Sequence, residues 1–417
     1  MKKFVKVLLV SLMALSLFGC QSNTETPEPT GAPEPTKTPE TQKSEVSLKV
    51  WGSQEDQSML NGMIDEFKAA NPDKVWNIEL GVVSEADAKT KYLEDPAAAA
   101  DVFAFANDQL RDLVNAGGLY KVTRNTDNFA DVYAQGTIDA ASIDGQLYAY
   151  PMTADNGYFM YYDSRVLSAE DVLSFETMLD KADAAGKKIF MDISNGWYIA
   201  SFFLGSGGTL TLDADGHQQT DFNNANGLLA GEAIKRITSH PAFLTGDDSV
   251  LIAGLTDGTI AAGVSGTWNA EAVSTALQDG YAASKLPSYE GDGKQIQMGS
   301  FAGYKFIGVN SQTQAPVEAM DLAAWLTNEK NQTTRFEQRK MGPANVNVAK
   351  GEAVKADKAL AALAAQSEFA TSQKDVTGTY WGPAEAFGTT LEAKDYTKSV
   401  QELLDDMVLQ ITTVTAE

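Results

Sequence analysis

The chain has 417 residues, with 56 acidic against 32 basic side chains and a formal net charge of −24. This balance argues against nucleic acid and other polyphosphates as partners, because nothing supplies the basic surface that they require. Hydrophobic residues make up 43 % of the chain, which is ample for buried cores, and the length favours two lobes over one ordinary domain. The acidity is typical of an extracellular monomer.

The first twenty residues are typical of a secretory leader that ends in a lipid attachment site. Three lysines precede an apolar run over 7–18, about a dozen residues, which is too short to span a bilayer. The segment Leu-Phe-Gly-Cys that follows resembles the lipobox of bacterial lipoproteins. We therefore predict a signal peptide over 1–19 and an acylated Cys20, the only cysteine of the chain. A plain secretory signal with an incidental cysteine is the alternative.

The next stretch predicts a tether. Residues 20–45 are rich in Thr, Pro, Glu, Gln and Ser and contain no aromatic residue. Such a segment cannot bury enough surface to offset its ordering entropy, so we expect it to be disordered. An acylated cysteine followed by this tether implies a globular body held at the extracellular face of the cytoplasmic membrane, with contact through the lipid anchor only.

Strands and helices alternate along the rest of the chain. Runs rich in β-branched and aromatic residues predict strands, and apolar residues at helical spacing predict helices. The alternation favours an α/β architecture with mainly parallel sheets. The predicted strands are 46–51, 75–83, 101–106, 147–152, 157–162, 188–192, 259–265 and 304–309, and the predicted helices include 60–67, 108–116, 197–203, 228–237, 268–277, one opening at Pro316, and 400–411.

Motifs for catalysis and metal binding are mostly absent. The chain has two histidines, His217 and His240, and one cysteine, which excludes a Cys/His metal site and disfavours a Ser-His-Asp triad. Asp213, Asp215 and Asp221 resemble part of a calcium loop, but the terminal glutamate is missing, so a hairpin turn is the preferred interpretation. We expect no metal and no cofactor. A pair of carboxylates for glycoside hydrolysis stays open, since no local motif marks such a pair.

Three tryptophans lie at glycine-bracketed junctions between predicted elements. They are Trp197, Trp268 and Trp381, and each is placed where a side chain can face a cleft beyond the carboxyl end of a strand. Sugar rings have an apolar face that stacks on indole and a polar rim that needs hydrogen-bonding partners. Burial in a core is the alternative for any one of them, and we assign that role to Trp76 and Trp325.

Several motifs together give the chain a family resemblance. It resembles the extracellular solute-binding lipoproteins of ABC sugar importers, of the maltose/maltodextrin-binding type found in Gram-positive bacteria. The motifs are LKVW at 48–51, DVFAFANDQ at 101–109 with GGL at 117–119, LYAYP at 147–151, GVSGTW at 263–268, GSFAGY at 299–304 and AAWLTNE at 323–329.

The resemblance implies a two-lobed, periplasmic-binding-protein-like α/β fold of type II. Mainly parallel sheets flanked by helices form each lobe, and about three hinge crossings join the lobes. The implied N-lobe comprises 46–153 plus 307–350, and the implied C-lobe comprises 154–306 plus 351–417. Ligand capture would follow from closure of the lobes.

The resemblance also implies which residues contact the sugar. Trp197, Trp268 and Trp381 match the stacking aromatics of the family. In the maltose type an Arg stands at the position of Gln109, a Trp at that of Phe105, and an acidic residue at that of Asn195. The complete implied set is Glu55, Asp56, Asn107, Asp108, Gln109, Asp155, Asn156, Tyr158, Asn195, Trp197, Tyr198, Trp268 and Trp381.

These observations predict a binding lipoprotein and not an enzyme. We expect it to capture maltose or maltodextrin-type oligosaccharides, most simply an α-1,4-linked glucan, and to deliver them to the transmembrane subunits of an ABC permease. A binding protein for another oligosaccharide is the first alternative. A surface glycosidase or lyase and a glycan adhesin without transport function are the others.

Overall fold

The computed structural model of the chain describes residues 43–414. The predicted signal peptide, the acylation site at Cys20 and the tether up to residue 42 lie outside the described residues. The first strand begins at Ser44, so the last two residues of the predicted tether belong to it. Within 43–414, no helix combines the length and the apolar character that crossing a membrane requires.

The strands of the described part of the chain vary from two to fifteen residues in length. In chain order they are β1 Ser44–Gly52, β2 Lys74–Val82, β3 Val102–Ala106, β4 Ser142–Ile143, β5 Gln146–Leu147, β6 Ala149–Asp163, β7 Lys188–Phe190, β8 Leu210–Leu212, β9 Gln218–Thr220, β10 Phe243–Leu244, β11 Ile260–Gly266, β12 Tyr281–Ser284, β13 Ser288–Gly291, β14 Lys294–Gln297, β15 Ser300–Val309 and β16 Ala370–Ser372.

The helices lie between and after these strands. They are α1 Gln57–Ala70, α2 Ala88–Glu94, α3 Leu110–Asn115, α4 Phe129–Val132, α5 Gln135–Ala140, α6 Phe175–Ala184, α7 Gly196–Gly205, α8 Ala225–Ser239, α9 Asp248–Asp257, α10 Ala270–Leu277, α11 Pro316–Leu326, α12 Glu329–Arg339, α13 Val346–Ala349, α14 Glu352–Lys355, α15 Lys358–Ser367, α16 Gly378–Glu392 and α17 Val400–Thr412. Short 3₁₀ turns include Gln54–Asp56, Asn107–Gln109 and Thr267–Asn269.

Helix α17 shows how local sequence determines these elements. Ser399 caps its first turn by accepting a hydrogen bond from the backbone of Glu402, whose side chain bonds back to Ser399. This reciprocal capping box satisfies two backbone donors that a helix end leaves free. The predicted apolar stripe is buried, with Leu404 and Met407 facing the core. The predicted helix over 400–411 is therefore confirmed.

Two long central strands connect the two halves of the main sheet. The strand order is β10-β7-β11-β6-β15-β3-β1-β2. The first part of β6 pairs with β15, whereas 158–163 pairs with β11 and β12. The outer pairs β1·β2, β1·β3, β7·β10 and β7·β11 are parallel, as predicted. The central pairs are antiparallel because β6 and β15 cross between the halves in opposite directions.

The buried apolar residues form separate clusters in the two halves that β6 and β15 connect. Two clusters contain residues between 46 and 152 together with residues between 306 and 344. The other two contain residues between 158 and 301 together with residues between 359 and 411. Each side of the main sheet therefore has its own core. The fold is thus α/β with two lobes. The first lobe contains the clusters from 46–152 and 306–344, and the second lobe contains those from 158–301 and 359–411.

One predicted interruption does not exist. The sequence predicts two strands, 147–152 and 157–162, separated by Asp155 and Asn156. The structure instead has the single strand β6, which runs through both residues. Polar residues usually end a buried strand, but here Asp155 and Asn156 lie where the chain passes from one lobe to the other and find polar surroundings.

Candidate functional site

Two of the predicted tryptophans lie side by side. The ring centroids of Trp197 and Trp268 are 5.8 Å apart at an interplanar angle of 44°. Trp197 is the second residue of α7, and Asn195 caps that helix by accepting a hydrogen bond from the backbone N–H of Trp197 at 2.9 Å. Trp268 lies in the 3₁₀ turn between β11 and α10. Both rings are half-buried and retain an exposed surface.

The indole N–H groups of this pair are already engaged. Nε1 of Trp197 donates to Oε1 of Gln373 at 2.9 Å, and Nε1 of Trp268 donates to Oδ2 of Asp248 at 2.9 Å. A Cβ atom at Gly266 would lie 1.9 Å from the ring of Trp268, so only glycine permits this ring position. The two indoles are therefore fixed with their polar edges satisfied, and what they offer a ligand is apolar ring surface.

Trp381 belongs to the same region. It lies in α16, is half-buried, and its ring contacts those of Phe301 and Tyr380 at centroid distances of 5.9 and 5.0 Å. The start of α7 packs closely against it, since a Cβ atom at Gly196 would lie 3.1 Å from the carbonyl oxygen of Trp381. All three predicted tryptophans thus lie on the second lobe, where strand ends and helix starts meet.

The two predicted tyrosines lie behind the tryptophans. Tyr158 is fully buried, and its hydroxyl donates to the carbonyl of Trp197 at 2.8 Å. Its ring meets that of Trp197 edge-on at 4.5 Å. Tyr198 is also buried, and burial raises its pKa well above the ordinary range. Both residues support the ring of Trp197 from inside the protein. We call the paired rings of Trp197 and Trp268 the platform.

The three consecutive polar residues of the predicted set, Asn107, Asp108 and Gln109, have different roles. Gln109 is buried and donates from Nε2 to the carbonyls of Glu85 and Ala86 at 2.8 and 2.9 Å. It also accepts from the backbone N–H of Lys89, so its polar atoms hold the preceding loop. Asn107 accepts from the backbone of Tyr304 at 3.1 Å, while its buried Nδ2 has no partner in the described structure.

Asp108 is the only one of these three residues whose side chain bonds Gln373, which in turn bonds Trp197. Oδ1 of Asp108 accepts a hydrogen bond from Nε2 of Gln373 at 2.9 Å, and Gln373 in turn accepts from Trp197. Desolvation raises the pKa of Asp108 to about 6, in spite of a backbone hydrogen bond and the nearby Lys89 ammonium, which both lower it.

Asp155 connects the crossing strand to both sides of the site. Its Oδ2 accepts from Oγ1 of Thr267 at 2.6 Å and from the backbone N–H of Gly342 at 2.5 Å. Its Oδ1 is buried and has no partner among the described residues. Asn156 is buried beside it and pairs with Gly303 in the β6–β15 register. Asp155 therefore has one acceptor atom without a partner, while its other carboxylate oxygen bonds the residue that precedes Trp268.

Glu55 and Asp56 have opposite environments. Glu55 is exposed, whereas Asp56 is 2 % exposed and forms ion pairs with Arg335 at 3.6 Å and Arg339 at 3.1 Å. Arg339 also pairs with Glu271 at 2.9 Å. The carboxylate of Asp56 is thus engaged by two arginines.

Three residues near the tryptophans were not predicted from the sequence. They are Gln373, Asp248 and Lys305. The Nζ atom of Lys305, a buried lysine on β15, lies 5.4 Å from the ring centroid of Trp268. A lone charge within the otherwise uncharged run 300–309 was a usable signal for it. Gln373 and Asp248 carry no such signal, because they lie in polar loop and helix-start segments.

The acidic segment near His217 is a turn. Asp213, Asp215 and His217 place ligand-type atoms within 4.8 Å of one another between β8 and β9. Oδ1 of Asp213 accepts from the backbone N–H groups of Asp215 and His217, both at 2.9 Å. The hairpin interpretation is therefore confirmed, and the hydrogen bonds of the turn account for the cluster.

Solved structures with this fold include several sugar-binding proteins. A protein solved with acarbose is 32 % identical, with a TM-score of 0.81 over 88 % of this chain and 99 % of that one. A maltodextrin-binding protein from L. casei BL23, solved without ligand, has a TM-score of 0.75 at 24 % identity over 89 % of this chain and all of that one. These matches confirm the predicted two-lobed α/β fold.

Sequence comparison identifies the family. A galactooligosaccharide-binding protein of Bacillus subtilis (strain 168) is 30 % identical over 358 residues, which are 81 % of this chain and 83 % of that protein. The family model described as a bacterial extracellular solute-binding protein matches residues 62–362. Because such relatives bind solutes, the prediction of a binding protein and not an enzyme is confirmed. The chain therefore belongs to the bacterial extracellular solute-binding proteins.

Proposed function

We propose that this protein captures an oligosaccharide between its lobes and delivers it to an ABC permease, with maltodextrin-type glucans as the preferred class. The observation that carries the proposal is the fixed pair Trp197 and Trp268, whose N–H groups are bonded to Gln373 and Asp248. Indole faces held in this way suit the apolar face of a sugar ring. Trp381, half-buried beside the start of α7, would supply a stacking surface for a further ring.

Polar groups near the platform suit the hydroxyl rim of a sugar. Nδ2 of Asn107 is a donor and Oδ1 of Asp155 is an acceptor, and both are buried without a partner among the described residues. A buried polar group without a hydrogen bond costs about 1–3 kcal/mol, so ligand hydroxyls that satisfy these atoms gain affinity. Asp108 and the ammonium of Lys305 supply a further acceptor and donor.

We further propose that capture occurs by hinge closure. The lobes would comprise 46–153 plus 307–350 and 154–306 plus 351–417, in agreement with the division of the core clusters. The crossings would be β6, β15 and the segment near 350. A ligand that contacts Asn107 on one lobe and Trp197 on the other would favour the closed arrangement, because it binds both only there.

A galactooligosaccharide is the second candidate ligand. The Bacillus subtilis relative, which is 30 % identical, is named for that class of sugar. The maltodextrin proposal rests on the family resemblance, on the 32 % identical protein solved with acarbose, and on the paired indoles of Trp197 and Trp268. Both sugars present apolar ring faces, so the linkage geometry decides between them.

We propose that an acylated Cys20 tethers the protein to the outer face of the cytoplasmic membrane as a monomer. The partner would be the pair of transmembrane subunits of a sugar permease. A receptor that hands its ligand to a membrane transporter benefits from such a tether, because the anchor keeps its effective concentration near the permease high.

A thermal-shift panel tests the proposed ligand class. The protein would be heated with maltose, maltotriose, maltotetraose, acarbose and galactooligosaccharides of matched length. A ligand at one hundred times its dissociation constant adds about 2.7 kcal/mol to the free energy of unfolding, which is a readily measured shift. Stabilisation by the maltodextrins supports the first candidate, and stabilisation by the galactooligosaccharides alone supports the second. No shift with any of them contradicts the proposal.

A further inference from the structure

Gln373 forms hydrogen bonds to two predicted ligand-contact residues, one from each lobe. The residue comes directly after the short strand β16, and it is 2 % exposed. Its Nε2 donates to Asp108 and its Oε1 accepts from the indole of Trp197, both at 2.9 Å. Its backbone N–H donates to the carbonyl of Ala302 on the crossing strand β15 at 3.2 Å, which fixes its position.

The orientation of this amide is determined by its partners. An indole N–H can only donate, so the oxygen of Gln373 must face Trp197. The NH₂ group then faces Asp108, where a carboxylate or a carboxyl oxygen can accept. A Cβ atom at Gly303 would lie 3.0 Å from Cδ of Gln373 and 2.2 Å from Oδ1 of Asn107, so a glycine at this position makes room for both amides.

Gln373 is too buried to contact a ligand extensively, yet it determines the position of two groups that can. We propose that Gln373 is a positioning residue that fixes the indole of Trp197 and the carboxylate of Asp108 relative to each other and thereby sets oligosaccharide affinity. This inference rests on the proposed function. The geometry of the hydrogen-bonded chain from Asp108 through Gln373 to Trp197 can nevertheless be measured without any ligand.

The substitution Gln373→Glu is the sharpest test. Glutamate keeps an acceptor for Trp197 but places a second carboxylate against Asp108. Two carboxylates in contact hold one proton between them at low pH and repel each other once both ionise. The other charges near Asp108 are Lys89, which lies on α2, and Asp112, which lies on α3 and pairs with Lys89 at 2.7 Å.

The primary readout is the indole ¹H–¹⁵N resonance of Trp197 in the ligand-free protein, assigned with Trp197→Phe. At about pH 5 we expect Gln373→Glu to give a Trp197 resonance close to that of the wild type, and at about pH 8 a displaced one. Oligosaccharide affinity relative to wild type at the same pH should fall about tenfold or more at the higher pH and recover at the lower.

Two further variants complete the experiment. Gln146→Glu adds the same charge at an exposed position on β5 and should change neither readout. Gln373→Met keeps the length of the side chain and removes both hydrogen bonds, so the Trp197 resonance should move at both pH values without recovery in acid. If the glutamate variant does not fold, Gln373→Met tests the proposal in its place.

The two proposals fail in different ways. An unchanged Trp197 resonance in Gln373→Glu at both pH values, or in Gln373→Met where the glutamate variant does not fold, overturns the positioning role whether or not sugars bind. A displaced resonance together with unchanged sugar affinity also overturns it, because the position of Trp197 would then not govern binding. Failure of the wild type to bind any oligosaccharide overturns the proposed function and leaves the resonance result to stand by itself.

Discussion

Arg339 and Glu271 form an ion pair of 2.9 Å that joins helix α12, which packs against the first lobe, to helix α10 of the second lobe. The same guanidinium is held at 3.1 Å by Asp56, which is almost fully buried. Arg339 thus reaches a partner on each side of the hinge without any ligand. Its contacts are therefore part of what holds the lobes in the arrangement seen here.

The first prediction concerns this ion pair. Glu271 is largely exposed, so its removal should cost little, and Glu271→Gln should weaken oligosaccharide binding by about 1.5- to 5-fold because the ligand must close a more open protein. Titration calorimetry gives the affinity, and small-angle scattering of the ligand-free protein should show a larger radius of gyration. Glu352→Gln, which breaks an exposed pair with Lys355, is the matched control. Equal scattering and affinity in both variants would refute the role of the pair.

The second prediction concerns the platform. Trp268→Ala removes an apolar ring surface, and we expect sugar binding to weaken by about 1–3 kcal/mol, the contribution of burying a large side chain. Trp325→Phe is the control, because Nε1 of Trp325 donates to the carbonyl of Met63 within the first lobe. The control should lose stability of about 1 kcal/mol while retaining its affinity. Calorimetric titration that gives the wild-type affinity for Trp268→Ala would rule out this site.

The third prediction concerns Asp108 and pH. The pKa of its carboxyl is raised from 3.8 to about 6 in the folded protein. The folded state therefore binds a proton more tightly than the unfolded chain, and stability falls as pH rises between these values. The loss should reach about 3 kcal/mol at most. Urea unfolding of wild type and Asp108→Asn across about pH 3.5 to 7 measures it. If the free energy of unfolding depends on pH in the same way in both proteins, the carboxyl of Asp108 is not the cause of the loss.

The fourth prediction separates Asp56 from its neighbour Glu55. Asp56→Ala leaves the buried guanidinium of Arg335 without its carboxylate and should destabilise the protein by about 3–5 kcal/mol. Glu55→Ala removes an exposed side chain and should change stability by less than about 0.5 kcal/mol. Thermal or urea unfolding compares the two. Equal stabilities would mean that the ion pairs of Asp56 contribute nothing net.

The fifth prediction concerns the proposed anchor. Cys20→Ala removes the only thiol that a lipid could modify, so the protein should appear in the culture medium and not in the membrane fraction. Sugar binding should be unchanged, because every residue of the proposed site lies within 43–414. Immunoblots of medium and membranes from expressing cells provide the measurement. Retention of the variant on membranes would point to an attachment other than acylation.

The sequence predicted the architecture because α/β alternation is a local signal. Most strands and helices lie within a few residues of their predicted positions, as β2 and α17 illustrate. It did not predict that β6 continues through Asp155, because the polar surroundings of that residue come from Thr267 and Gly342, which are distant in the chain.

The sequence indicates the candidate site only in part. Glycine-bracketed tryptophans are visible in a sequence, and the structure brings Trp197 and Trp268 together. The engagement of Gln109 by a neighbouring loop is not visible, nor is the burial of Tyr158 behind the platform. Gln373 lies in a polar stretch without pattern, so only its tertiary contacts reveal it.

The most direct measurement of the central claim is an indole ¹H–¹⁵N spectrum recorded while maltotetraose is added. The chain has six tryptophans, so each resonance can be assigned by single substitution. We predict saturable shifts for Trp197, Trp268 and Trp381, while Trp76 and Trp325, which both pack on Phe67, stay in place. Saturable shifts confined to Trp76 and Trp325, or no shift at millimolar sugar with either maltotetraose or a galactooligosaccharide, would contradict the account.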